Sequence, residues 1–162
     1  MNNIYLMVGL PGSGKSTWIE KNKKENDICI SRDKVRFSII SDKDEYFSKE
    51  DEVFNTFIRK INEAVSNNDN INIYIDATHL NEASRGKVIR RLKLTNANLN
   101  AIYFDIPIET CIARNNLRTG RALVPEDVIK NMSNNLTHPK TDTKFKYKEI
   151  KEIKEWQHLN IF

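Results

Sequence analysis

Cysteine is scarce: Cys29 and Cys111 are the only two in 162 residues, and no metal-ligand spacing links them. That removes a disulfide framework and a cysteine-built metal site. Two reduced thiols are expected, one in a strand and one on the apolar face of a helix. Long apolar runs are missing too, so no segment reads as a membrane span. The first apolar stretch is short and turns at once into a glycine loop. It does not read as a signal peptide, and the expected compartment is the cytoplasm. No repeat or low-complexity linker interrupts the chain. The positive excess is only +4, and much of it lies in "KFKYKEIKEIKEW", where lysine alternates with glutamate as on a solvated face. Outside that tail, aromatic and basic residues do not alternate as a stacking surface for nucleic acid would need.

What is present suits one globular unit spanning 1–162. Hydrophobic residues make up 39% and charged ones 30%, enough for a full core. Apolar runs of strand length alternate with helical patterns, the mark of an α/β fold with a central parallel sheet. Strands are expected over 4–8, 28–30, 71–78 and 99–106, with a fifth from the tail over 144–153. Helices follow over 15–23, over 81–95 despite Gly86, after Pro107 and after Pro125. Ser48 with Asp51 resembles a capping box, and Val53, Phe54, Phe57, Ile58, Ile61, Ala64 and Val65 recur behind it at helical spacing. Asp105 is expected to cap the Pro107 helix.

"GLPGSGKS" matches G-x-x-x-x-G-K-[ST] in full, between the strand and the helix that this motif requires. Gly9, Gly12 and Gly14 let successive N–H groups turn toward phosphate oxygens, and the helix N-terminus adds partial positive charge. The cradle comprises Gly9, Pro11, Gly12, Ser13, Gly14, Lys15, Ser16 and Thr17. Lys15 is placed to reach β and γ phosphates and Ser16 to ligate magnesium. The expected cofactors are therefore ATP and Mg2+. Asp76 ends an apolar strand and takes the second carboxylate position at that metal; a plain turn aspartate fits the same place.

A triphosphate site alone does not separate a switch, a motor and a kinase. A kinase needs an acid to orient an acceptor alcohol. In "SRDKVR", Asp33 and Arg36 sit three apart on one helical face and could overhang one cleft. A helix N-cap with a surface arginine meets the same spacing. Arg114 and Arg118 share a face, and Arg121 follows Gly120, so that 114–125 reads as a small arginine-bearing lid over the triphosphate.

Together "GLPGSGKSTW", "SRDKVR", "IDATHLN", "FDIP" and "ARNNLRTGRALVPEDV" resemble bacteriophage-type 5'-polynucleotide kinase domains, in order and spacing, from residue 1 to about 136. The resemblance implies a P-loop kinase fold, with a sheet of four or five parallel strands and helices on both faces. It also implies ATP-dependent phosphoryl transfer to the 5'-hydroxyl end of DNA or RNA. It makes Asp33 the general base, Arg36 the ligand of an acceptor phosphate, and Arg118, with Arg114 nearby, the lid cation on the ATP phosphates. Lys15 joins Asp33 and Arg118 in catalysis. Thr78 and Asn81 fall beside the cleft; His79 lies in the same segment as a bystander. No D-x-D-x-T phosphatase motif is present, and the tail after Leu136 has no counterpart. Two other readings stand beside this one: the same chemistry on another alcohol, such as a small metabolite, a nucleotide or an aminoacyl-tRNA, and a non-catalytic nucleotide-dependent binding protein. The sequence names no protein partner.

Overall fold

In the computed structural model, which describes residues 1–154, five parallel strands form one sheet. They are β1 (Asn2–Val8), β2 (Ile28–Ser31), β3 (Asn72–Asp76), β4 (Ala97–Asp105) and β5 (Glu149–Lys154), in the order β2-β3-β1-β4-β5. The helices are α1 (Lys15–Asn22), α2 (Arg32–Ile39), α3 (Glu50–Asn67), α4 (Glu82–Ile89), α5 (Ile108–Asn115) and α6 (Glu126–Asn135). Residues 155–162, including the end of the lysine-rich tail, lie outside the described residues.

The period-two alternation of the strands divides the core between the two faces of the sheet. Ile4, Leu6, Ile73 and Ile75 pack with Phe57, Ile61 and Ile58 of α3 and with Val88 of α4. Met7, Tyr74, Ile102 and Phe104 point the other way, onto Trp18 and Ile19 of α1, Cys111 of α5 and Ile129 of α6. The apolar stripe read along α3 is buried in full. The expected tail strand is β5, paired with β4 from Asn100↔Glu149 to Asp105↔Lys154.

Three local expectations fail for identifiable reasons. Ser48 caps nothing: its Oγ donates to the Glu45 carbonyl at 2.8 Å, and α3 begins at Glu50 with Lys49 as N-cap. The helix read over 81–95 stops at Ile89. Beyond it, Asn62 of α3 donates to the Arg91 carbonyl at 3.0 Å and accepts from the Lys93 amide at 2.8 Å, drawing the backbone out of helical pairing. Asp105 does not cap α5, because the N-cap is Pro107 and Asp105 lies too early to reach the orphan amides. It faces Lys154 instead, at 3.5 Å.

A buried ion pair that sequence patterns did not reveal secures the tail. Arg85 and Asp142 are both fully buried, with Nε to Oδ2 at 2.8 Å and Nη2 to Oδ1 at 2.7 Å. Arg85 also donates to the carbonyls of His79 and Thr137, at 2.9 and 3.1 Å, so the segment after α6 is tied to the turn that follows β3.

Candidate active site

The C-terminal ends of β1, β3 and β2 lie side by side, which brings three sequence motifs to one edge of the sheet. The loop after β1 is fixed by its glycines. Gly12 and Gly14 adopt φ +79° and +94°, backbone that side chains rarely permit. Space is equally restrictive at Gly12, where an added Cβ would meet the Cys111 carbonyl oxygen of α5 at 2.3 Å. The loop is also tied to the neighbouring segment, since the Gly9 amide donates to the Thr78 carbonyl at 3.0 Å. That bond gives Thr78 a backbone part in shaping the loop.

Lys15 opens α1 and is buried. Its Nζ donates to the carbonyls of Gly9 and Leu10, at 2.9 and 2.8 Å. Burial pushes its pKa down to about 8, against the attraction of Asp76, and the charges of Arg118 and Asp33 also bear on it. Ser16 is exposed on the first turn of α1 and donates to Asp76 Oδ2 at 2.6 Å. A hydroxyl and a carboxylate in contact beside a ring of amides are a hard-oxygen pair of the kind that Mg2+ takes. The curled main chain, the lysine and this pair fit a magnesium–triphosphate group.

Asp33 lies on the first turn of α2, beyond the Ser31↔Asp76 register pair. It is not the N-cap; Ser31 is, accepting from the Lys34 amide at 3.3 Å. The Asp33 side chain is 64% exposed, yet one of its oxygens is held. Oδ1 accepts from Arg36 Nη1 at 2.6 Å and from the Tyr46 hydroxyl at 2.9 Å. Arg36 is buried and also forks onto Glu50, with Nε to Oε2 at 3.1 Å and Nη2 to Oε1 at 2.6 Å. Burial works against the Glu50 carboxylate, but the Arg36 hydrogen bond and charge outweigh it and hold its pKa below the ordinary range. Burial, then the Asp33 charge, push the Tyr46 phenol up to about 12, so it stays a donor to Asp33. Tyr46 and Glu50 escaped the sequence reading. Their only signal was an aromatic pair, "YF", in an otherwise polar turn.

The remaining candidates separate. Asn81 is the N-cap of α4, and its side chain and Ser84 form a reciprocal capping box. His79 is buried with φ +46°, its Nδ1 is 2.6 Å from the Met7 carbonyl, and burial pushes its pKa down to about 4. In the expected lid, a single 3-10 turn, Gly120–Ala122, follows α5. Arg118 is exposed, with Nη1 3.5 Å from the Ala122 carbonyl, and Arg114 sits half-buried on α5. Arg121 turns away toward the loop between α2 and α3, where its Nη2 donates to the carbonyls of Asp42, at 3.0 Å, and Asp44.

Solved structures share this architecture. The chain superposes on one component of the Pnkp1/Rnl/Hen1 RNA repair complex with a TM-score of 0.70 and 24% identity, covering 90% of this chain and 47% of that one. A sugar kinase from Janibacter sp. HTCC2649 matches with a TM-score of 0.63 and 15% identity, over 95% of this chain and 85% of that one. Kti12 from Chaetomium thermophilum, solved in complex with ADP-AlF3, matches with a TM-score of 0.60 and 13% identity, over 98% and 94%. The chain thus spans about half the length of the RNA repair component and nearly all of Kti12. They place the five-stranded sheet in the P-loop kinase fold. A family model described as an AAA domain matches residues 4–139, and the chain belongs to that family.

Proposed function

We propose that this chain is an ATP-dependent kinase acting on the 5'-hydroxyl end of a polynucleotide. The observation that carries the reading is Asp33: an exposed carboxylate with one oxygen pinned by Arg36 and Tyr46, on the strand end beside the Ser16–Asp76 pair. A nucleotide switch has no use for such a group. The fold shared with the RNA repair complex is consistent with an acceptor at a nucleic-acid end.

In this reading the loop amides and Lys15 bind the β and γ phosphates, and Ser16 and Asp76 hold Mg2+. A magnesium ion held by that pair would offset phosphate charge. Asp33 accepts a hydrogen bond from the acceptor alcohol and takes its proton as the oxygen bonds to the γ-phosphorus. The bond from that phosphorus to the bridging oxygen breaks, and ADP leaves. Arg118 of the lid neutralises charge on the group in transit, with Arg114 beside it. Arg36 holds Asp33 in line, and its engagement by Glu50 makes positioning its main task, ahead of contact with an acceptor phosphate. Arg121 joins the lid to the acceptor side through the carbonyls of Asp42 and Asp44.

Radiolabelled ATP, magnesium and a 5'-hydroxyl oligonucleotide test this directly. Label is expected at the 5' end in the wild type and absent with Asp33→Ala, while ATP still binds. Binding of ATP with no transfer to any oligonucleotide overturns the polynucleotide assignment. The match over 85% of a sugar kinase favours a second reading, the same transfer to a small-molecule alcohol, which a panel of sugars under the same conditions would reveal.

A further inference from the structure

Phe47 is 67% exposed and Phe37 is 40% exposed, although they flank the most highly organised polar cluster of the site. Their rings pack edge-on to Tyr46, Phe47 at 4.6 Å and 80° and Phe37 at 6.0 Å and 74°. The Arg36 guanidinium lies 4.5 Å from the Tyr46 ring centre and 5.6 Å from that of Phe47. An exposed phenyl ring costs hydration free energy and is usually mobile. Here a buried cation and a neighbouring ring hold it in place. The cluster begins one hydrogen bond from the proposed base, because the Tyr46 hydroxyl donates to Asp33.

We infer that Phe47, with Tyr46 and Phe37, is a stacking surface for a nucleobase in the 5'-terminal dinucleotide of the acceptor. This rests on the polynucleotide reading above and narrows it. A group covalently close to the attacking alcohol must lie near these rings, and what an exposed, immobilised ring offers is a flat π face that accepts any base. The surroundings argue against phosphate as the ligand. The concavity beside Phe47 is lined by Glu50, Asp51 and Glu52 as well as Ser48 and Lys49. These carboxylates repel a phosphodiester, whereas they can accept hydrogen bonds from exocyclic amino groups of a base. The surface therefore reads the neutral part of the acceptor and leaves its backbone charge to other contacts. It brings Phe37 together with Tyr46 and Phe47 from the two ends of one polar segment.

The test compares wild type, Phe47→Ala and Phe47→Trp on two 5'-hydroxyl oligonucleotides, one normal and one abasic in its first two positions. Acceptor KM is measured together with equilibrium binding by fluorescence anisotropy of a 3'-labelled strand. Removal of one stacked base predicts that Phe47→Ala raises KM and Kd for the normal strand about 5- to 150-fold, with kcat and the ATP KM unmoved. Phe47→Trp restores both. On the abasic strand the three proteins bind alike. An equal loss on both strands, or no loss on the normal one, overturns the stacking surface and leaves the kinase reading standing. A wild type that transfers no phosphate yet binds the normal strand in a Phe47-dependent way supports the surface and overturns the kinase reading.

Discussion

Arg36 donates to Asp33 at 2.6 Å from a side chain that is only 6% exposed, so a buried cation aims an exposed carboxylate. The expected consequence is that Asp33 and Arg36 fail differently. Asp33→Ala removes the proton acceptor and costs about 10²- to 10⁴-fold in kcat. Arg36→Ala leaves the carboxylate in place but unaimed and strips Glu50 of its partner. It should lower both kcat and stability, the latter by about 1–3 kcal/mol. Steady-state kinetics with urea melts check this. An Arg36→Ala protein of unchanged stability would show that Glu50 gains nothing from the fork.

Gly12 and Gly120 offer a matched pair. Both have positive φ, +79° and +61°, but an added Cβ clashes with the Cys111 carbonyl at Gly12 and meets nothing within 4 Å at Gly120. Gly120→Ala should cost only backbone strain, on the order of 1 kcal/mol, with ATP affinity preserved. Gly12→Ala must also push the loop away from α5, and calorimetric titration is expected to find ATP binding lost.

Lys15 sets a pH dependence with a definite sign. Its folded pKa, pushed down to about 8 by burial, lies below the 10.5 of an ordinary lysine. Between those values the unfolded chain holds a proton that the folded one does not, so the Lys15 contribution to stability rises with pH. ATP affinity moves oppositely, falling as pH climbs through about 8 and the cation is lost. Lys15→Arg keeps its charge across the range and should flatten the affinity profile. Thermal melts and ATP titrations between pH 7 and 10 separate the two trends, and parallel profiles for wild type and Lys15→Arg would contradict this assignment.

The Arg85–Asp142 pair is buried on both sides. Loss of one partner leaves an uncompensated charge, and Arg85→Ala or Asp142→Ala should cost about 3–5 kcal/mol. The double change Arg85→Ala with Asp142→Ala should lose less than the sum of the two single losses. Chemical denaturation of the three variants measures the coupling; simple additivity would argue against a direct pair.

The phosphate loop and α3 were legible because their signals are local: fixed spacing in one case, a repeated apolar stripe in the other. The parallel sheet followed from alternating elements, though not its strand order, and even the mixed pattern of the tail yielded β5. What stayed hidden was pairing at a distance. Asp33 and Arg36 could be placed on one helix face, but Tyr46 and Glu50 come from the next loop and helix. Arg85 meets Asp142 across 57 positions. Helix ends failed for the same reason, since the stop at Ile89 is imposed by Asn62, a side chain from another helix.

The alternation of lysine and glutamate in β5 acquires a purpose from its position. Among the described strands β5 pairs with β4 alone, and Glu149, Lys151, Glu152 and Lys154 are exposed along it while Ile153 faces the core. A bare strand border invites another chain to add on, and closely spaced charges of both signs make that addition unfavourable. Among the described residues, β5 thereby gives that side of the sheet a border poorly suited to aggregation.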